Sequence, residues 1–292
     1  MTEPAIPWRA RLAAALIDVS PQWSVLTASR VMGAAARIKL PRAVSKPAIG
    51  AYVSYFQVDL GDVDPAAHQA GYDSFDAFFT RRLRRGARPL DRAAAAIVSP
   101  CDGLLREVAQ IREGLTIDAK GHPLSLGEML ADEALACRFD GGYATTIYLH
   151  PRDYHRVHAP CDALAEQVTL VPGRLLPVTD AALDRRPELF TINERLIHVL
   201  DTMHGQIAVV MIAAFGVGHM SCAYRHLTPH PSEIQRVDCA PPPRLRKGDE
   251  LGVFHLGSTV VLVTERGTRP LIEQTPSKVR LGQTILQGSG KP

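Results

Sequence analysis

Three short stretches of the chain bring together residue types that could do chemistry. The first is HPRDYHRVHAP over 150–160, three histidines and two arginines beside the end of an expected strand. His155 and His158 stand three apart, but Pro151 and Pro160 oppose a helix and no acidic or cysteine ligand completes a zinc pattern. General acid–base work or charge stabilisation near neutral pH suits the cluster better; a solvated histidine patch is the competing reading. The second stretch is SPCDGLL over 99–105, where Asp102 precedes Gly103. An aspartate at such a bend usually serves the turn, and it gains chemical meaning only by orienting a histidine. The third is FHLGSTVVLV over 254–263. Here the Ser258 hydroxyl can attack the Gly257 carbonyl and move the acyl group from nitrogen to oxygen, and a glycine leaves that peptide free to strain. Elimination from the ester gives dehydroalanine, which tautomerises and hydrolyses to a pyruvoyl group heading a new chain.

The elements that must position these residues are mostly strands. YATTIYL (143–149), LIHVLDT (196–202), QIAVVMIAAF (206–215) and TVVLVTE (259–265) are rich in β-branched residues. MHG (203–205) is a short hairpin connection, and AAIVSPCDGLLREV reads as strand, turn, strand with Asp102-Gly103 in the bend. Five prolines between Thr228 and Pro243 mark a surface loop. Helices come first. Pro7 opens one with Trp8, Leu12 and Leu16 on one face, and Ser20-Pro21 starts a second that runs towards Arg37. Ser74 caps a third, SFDAFFTRRLRR, with Phe75, Phe78, Phe79 and Leu83 as its apolar stripe, a solvated basic end, and Gly86 and Pro89 to stop it. The expected fold class is α+β, N-terminal helices followed by a mostly antiparallel β body.

At 292 residues and 46% hydrophobic, the chain can bury a large core and is not disordered. The apolar run Ile207 to Val217 falls short of the ~20 residues that span a bilayer. Asp18 interrupts the apolar stretch near the start and no A-x-A site follows, so a cleaved signal peptide is not expected. Five scattered cysteines without a C-x-x-C pair suit a reducing cytoplasm. A net charge of +3 does not by itself imply nucleic acid, but its distribution is uneven. Between Trp8 and Lys46, Arg9, Arg11, Arg30, Arg37, Lys39 and Arg42 face a single acid, Asp18. Basic amphipathic helices with Trp8 and Trp23 suit an anionic membrane surface, and equally a helical hairpin packed on its own domain.

Together SPCDG, YLHPRDYHRVHAP and LRKGDELGVFHLGSTVVLV resemble the phosphatidylserine decarboxylases, pyruvoyl-dependent enzymes of phospholipid synthesis. FFTRRLRRGARPLD, AKGHPLSL, VPGRLLPV and LFTINERLIHVLDT extend the likeness in consistent order from about residue 70 to about 270. The resemblance implies a proenzyme that cuts itself between Gly257 and Ser258. The products are a β chain, 1–257, and an α chain, 258–292, headed by a pyruvoyl cofactor made from Ser258. It places Asp102, His158 and Ser258 in a self-cleavage triad, with His158 as base and Asp102 fixing its tautomer, and it gives His155 to decarboxylation. It requires no metal. Arg152 and Arg156 stay outside this set.

The implied substrate is phosphatidylserine and the product phosphatidylethanolamine, handled by a peripheral protein on the cytoplasmic side of the cell membrane. Residues 1–50 would associate with anionic lipid and 51–292 would form the catalytic domain, with cleaved protomers pairing as homodimers and no nucleic-acid partner. Cys101 stands where alanine is frequent in the family, His150 where serine is common, and GVGHMSCAYRH (216–226) follows the glycine-rich pattern loosely, leaving His219 as pocket residue or filler. Rival readings are a serine hydrolase using Ser258, His158 and Asp102, which lacks a G-x-S-x-G elbow, and an inactive membrane-surface scaffold. A pyruvoyl decarboxylase of a soluble amino acid is a further alternative, disfavoured by the basic N-terminus.

Overall fold

β-branched, almost wholly apolar runs dictate the body of the molecule, seen in a computed structural model. The structure describes residues 22–112, 116–119, 122–178, 180–216, 219–272 and 274–289. The helix expected from Pro7, with Trp8, lies outside them.

Nine strands form the main sheet, with the order β11 (Gln235–Asp238), β7 (Ala163–Val171), β8 (Arg195–Thr202), β9 (Gly205–Ala213), β14 (Ser258–Thr264), β5 (Tyr143–Leu149), β2 (Gly103–Gln110) and β16 (Ser277–Val279); β12 (Arg244–Leu245) also pairs β7. Every pairing in it is antiparallel. β9 is buried at each of its positions, which explains why it reads as a continuous apolar run and not as an alternation: both of its faces are covered. The β8–β9 hairpin closes at Thr202 and Gly205, where Gly205 takes φ 93°. A second sheet orders β10 (Met220–Cys222), β13 (Glu250–Phe254) and β6 (Arg156–His158), and a third orders β1 (Ala96–Val98), β17 (Thr284–Gly288) and β15 (Thr268–Pro270). β3 (Thr116–Ala119) pairs β4 (His122–Ser125). The α+β class stands.

Among the described residues four helices precede the strands: α1 (Gln22–Arg37), α2 (Arg42–Phe56), α3 (Pro65–Ala70) and α4 (Phe75–Phe79). Later helical turns, α5 (Leu126–Leu130), α6 (Glu133–Cys137), α7 (Asp180–Leu183) and α8 (Leu189–Ile192), lie between strands. α2 runs across residue 50, the expected domain boundary. It joins the body through a small apolar cluster of Ile49, Val58 and Phe78, with Tyr52, Val53, Phe56 and Phe75 packed around it. Tyr52 meets Phe75 edge-on at 4.9 Å.

Two local expectations need correction. Ser74 does cap its helix, accepting from the Ala77 N–H at 3.1 Å, but α4 ends at Phe79 instead of continuing through the arginines. The Thr80 hydroxyl donates to the Asp76 carbonyl, and Arg81 turns inward, donating to the Arg152 and Asp153 carbonyls at 3.0 and 3.3 Å. Arg81 is therefore buried, not solvated, while Leu83 bridges to Val63. The strand, turn, strand expected over AAIVSPCDGLLREV is present as β1 and β2, each pairing in a different sheet. The proline-rich loop contains β11, an edge strand held by β7.

Phe78 of α4 is fully buried, whereas Tyr55 of α2 is 76% exposed. Phe78→Ala is expected to cost ~3–5 kcal/mol of stability and Tyr55→Ala under ~0.5 kcal/mol, read by thermal or denaturant unfolding.

Candidate active site

Short strands and one helical turn place the three sequence clusters. Ser258 is the first residue of β14, its backbone in register with Leu149 of β5 on one side and Ala213 of β9 on the other. Phe254 ends β13 in the neighbouring sheet, so only His255, Leu256 and Gly257 connect the two. Within this span Leu256 takes φ 97°, a conformation that costs an L residue about 1–3 kcal/mol. The strain expected at the Gly257 peptide shows one residue earlier, at Leu256, and a Cβ on Gly257 would meet nothing within 4 Å.

His155 lies just before β6, where its carbonyl accepts from the Phe254 N–H at 3.0 Å, next to the three-residue span. Its ring packs on Phe79 of α4 at 4.1 Å and is fully buried. Nδ1 lies 3.0 Å from the Asp153 carbonyl, and because a carbonyl only accepts, Nδ1 carries the hydrogen and Nε2 keeps its lone pair. That Nε2 is buried without a hydrogen-bond partner. Burial, with the Arg81 guanidinium adding to it, pushes the His155 pKa down to about 3, so the ring is neutral at physiological pH. Tyr52 and Arg81 pin the loop that presents it: the Tyr52 hydroxyl donates to the Pro151 carbonyl at 2.9 Å, and Arg81 holds the next two carbonyls.

His158 sits opposite Glu250 on β13, next to a register irregularity between Glu250 and Gly252. Its Nδ1 donates to the Gly248 carbonyl at 2.8 Å and its Nε2 accepts from the Tyr154 hydroxyl at 3.1 Å. Burial lowers its pKa, with the Gly248 bond opposing. Asp102 is not bonded to it. The Asp102 carboxylate accepts from Arg88 Nε at 2.8 Å and from Arg88 Nη2 at 2.5 Å, and from the Leu281 N–H at 2.9 Å. The tautomer-fixing role expected of Asp102 thus falls, in this arrangement, to the Gly248 carbonyl. The backbones do meet, since the His158 N–H donates to the Pro100 carbonyl at 2.8 Å. Of the two arginines set aside, Arg152 is exposed and Arg156 is tied to Glu250 at 2.7 Å. Among the described residues no group of three or more His, Cys, Asp or Glu is arranged to hold a metal ion.

The family profile for phosphatidylserine decarboxylase matches residues 75–287 of the chain, a stretch that contains Asp102, His155, His158 and Ser258. The chain belongs to the phosphatidylserine decarboxylase family. It is 42% identical over 277 residues to the phosphatidylserine decarboxylase proenzyme of Azotobacter vinelandii (strain DJ / ATCC BAA-1303), covering 89% of this chain and 93% of that one. To the proenzyme of Myxococcus xanthus (strain DK1622) it is 38% identical over 275 residues, covering 92% and 96%. To that of Bordetella petrii (strain ATCC BAA-461 / DSM 12804 / CCUG 43448) it is 42% identical over 269 residues, covering 88% and 91%.

Two features of this decarboxylase escaped the sequence reading. Arg88 is one: it bridges Asp102 and Asp62, donating to Asp62 Oδ2 at 2.6 Å. The other is a polar group around His255, where Nδ1 meets Asp76 Oδ1 at 2.8 Å and Nε2 meets Ser221 Oγ at 3.1 Å. The sequence signal for the second was His255 itself, two residues before Gly257.

Two outcomes follow from the electrostatics. Arg88→Met strips two carboxylates of their shared cation and is expected to destabilise the fold by ~3 kcal/mol or more in denaturant unfolding. Each imidazole held neutral in the fold takes up a proton on unfolding below its ordinary pKa of 6.5, so acid favours the unfolded chain. Stability should fall on acidification between about pH 6 and about pH 4, and His155→Gln should flatten that slope by ~1.4 kcal/mol per pH unit. An unchanged slope would mean that His155 is not held neutral.

Proposed function

We propose that the protein decarboxylates phosphatidylserine to phosphatidylethanolamine, using a pyruvoyl group made from Ser258 when the chain cuts itself between Gly257 and Ser258. The observation that carries this reading is the three-residue span leading into Ser258, strained at Leu256 and flanked by His155. Self-cleavage starts with attack of the Ser258 hydroxyl on the Gly257 carbonyl carbon, its proton passing to His158 Nε2. The C–N bond breaks as His158 returns that proton to the nitrogen, leaving Gly257 esterified to the serine oxygen and Ser258 with a free amine. Removal of the Ser258 Cα proton expels the Gly257 carboxylate; the dehydroalanine left behind tautomerises, takes up water and releases ammonia. For this His158 exchanges the Tyr154 hydroxyl for that of Ser258, its Nδ1 still oriented by Gly248 and its protonated form favoured by the Asp102 charge.

The surroundings fit a small ketone. Residue 258 lies between two interior strands, and His155 Nε2 is an orphaned acceptor inside the protein. When present, the pyruvoyl group supplies an electron sink for the carbanion left as carbon dioxide departs. His155, neutral and with a free lone pair, accepts a hydrogen bond from the substrate and moves the proton that replaces the carboxylate.

A lipid substrate also gives the N-terminal helices a purpose. Val31, Met32, Ile38, Leu40, Val44 and Tyr55 are exposed on α1, α2 and their connection. Exposed Arg30, Arg37, Lys39, Arg42 and Lys46 lie among them, an apolar and basic surface suited to anionic lipid on the cytoplasmic face of the membrane. Among the described residues no helix is long and apolar enough to cross a bilayer. The cleaved β and α chains stay associated through β14, and cleaved protomers pair as homodimers.

Intact-mass spectrometry of the purified protein is expected to find two chains breaking at Gly257–Ser258, the smaller blocked by a pyruvoyl group, and a single chain for Ser258→Ala. A single chain in active wild type, labelled at Ser258 by a fluorophosphonate, would replace this reading with a serine hydrolase. For the membrane surface, combined Val31→Glu, Ile38→Glu and Val44→Glu should abolish flotation with phosphatidylserine-containing liposomes. Unchanged flotation would remove that face from the account.

A further inference from the structure

The decarboxylation chemistry leaves the polar group around His255 without a task. A carboxylate only accepts, so His255 Nδ1 carries the hydrogen towards Asp76, and Nε2 accepts from the Ser221 hydroxyl. The His255 ring lies flat on that of His219, with centroids 3.8 Å apart and planes 10° from parallel. Its backbone N–H donates to the His219 carbonyl at 3.0 Å. One side chain is thus tied to α4, to β10 and to the residue before β10.

Asp76, His255 and Ser221 have the partner order of an acyl-transfer triad, but Ser221 is no nucleophile by position. It lies inside β10 in register with Val253, not on the sharp exposed turn from which a nucleophile reaches its substrate. What lies next to this group is the strained span. A leucine at φ 97° persists only where the surrounding structure over-determines it. β5 and β9 fix the Ser258 end by backbone pairing. At the other end the His255 side chain supplies ties in addition to the backbone ones.

We propose that Asp76, His255 and Ser221 form a clamp that holds the acyl half of the Gly257–Ser258 bond in place for self-cleavage, making His255 a positioning residue for maturation. This rests on the self-cleavage reading above. With the clamp intact, Leu256 is kept out of an ordinary backbone conformation and the Gly257 carbonyl stays where the next residue's hydroxyl can reach it. Without the clamp the span relaxes and the carbonyl leaves that position. Once the bond is cut, Leu256 and Gly257 belong to a free chain end and the clamp has no part in turnover.

The test follows self-cleavage of the full chain after cell-free synthesis, with intact mass read at intervals. Wild type is compared with His255→Phe, which keeps the ring stack but loses both hydrogen bonds, with His255→Asn, which keeps a donor near Nδ1, and with Ser221→Ala. His255→Phe is expected to cleave at least tenfold more slowly, a barrier increase of about 1.4 kcal/mol. Ser221→Ala should be slowed less, and His255→Asn should recover most of the wild-type rate. Decarboxylation per cleaved chain should equal wild type in all three. Unfolding of the uncut Ser258→Ala protein with and without His255→Phe checks that the fold survives the change. Cleavage of His255→Phe at the wild-type rate would overturn the clamp and leave the self-cleavage reading standing. Equal slowing of His255→Phe and His255→Asn would also overturn it, in favour of proton transfer by the imidazole. Absence of any cut in wild type would instead overturn the reading on which the clamp rests.

Discussion

A chain that passes between two sheets in three residues, with both ends held, cannot relax its backbone freely. In this protein the span is His255 to Gly257. Downstream, Ser258 enters the middle of a nine-stranded sheet, hydrogen-bonded into β5 and β9. Upstream, Phe254 and His255 give their N–H groups to the carbonyls of His155 and His219. The positive φ of Leu256 is the visible result. The rest of the site is arranged around that span: β6 and the residue before it bring His158 and His155 alongside β13, and α4 reaches His155 through Phe79 and His255 through Asp76. A helix of five residues thus touches the two groups nearest the bond.

Burial of titratable groups is the second organising constraint. His155 keeps a bare Nε2 in a site from which water is excluded, and its low pKa holds it ready to accept a hydrogen bond. Arg81 is buried beside it, donating to backbone carbonyls, with the Phe78 ring 5.2 Å from its guanidinium carbon. That cation raises the cost of protonating His155 while fastening the loop that presents it. Asp102 illustrates the opposite case, a carboxylate made tolerable in the interior by a forked guanidinium from Arg88.

Much of this was legible in the chain. The β-branched runs marked β5, β8, β9 and β14 nearly to the residue, because strands buried on both faces have little else to encode. Ser74 announced the start of α4. Its end was not legible: Arg81 has a helical neighbourhood in sequence, and only the carbonyls of residues 152 and 153 explain why it turns inward. β11 was hidden by prolines because its pairing is supplied by β7, far away in the chain. Asp102, His155, His158 and Ser258 stand out as candidates by residue type and order, but the partners of their side chains do not. Gly248 contacts His158 through a backbone carbonyl, which no sequence pattern records. Asp76 is 179 positions from His255 and looked like an ordinary acid at a helix start.

The central claim is that residue 258 of the mature protein is the electrophile that engages the substrate amine. Reductive trapping with cyanoborohydride during turnover of phosphatidylserine tests it most directly, read by mass spectrometry of the separated chains. The expected result is an adduct on the first residue of the smaller chain, formed only with substrate, and none in Ser258→Ala. Release of carbon dioxide with no adduct at residue 258, or with the adduct elsewhere in the protein, would contradict it.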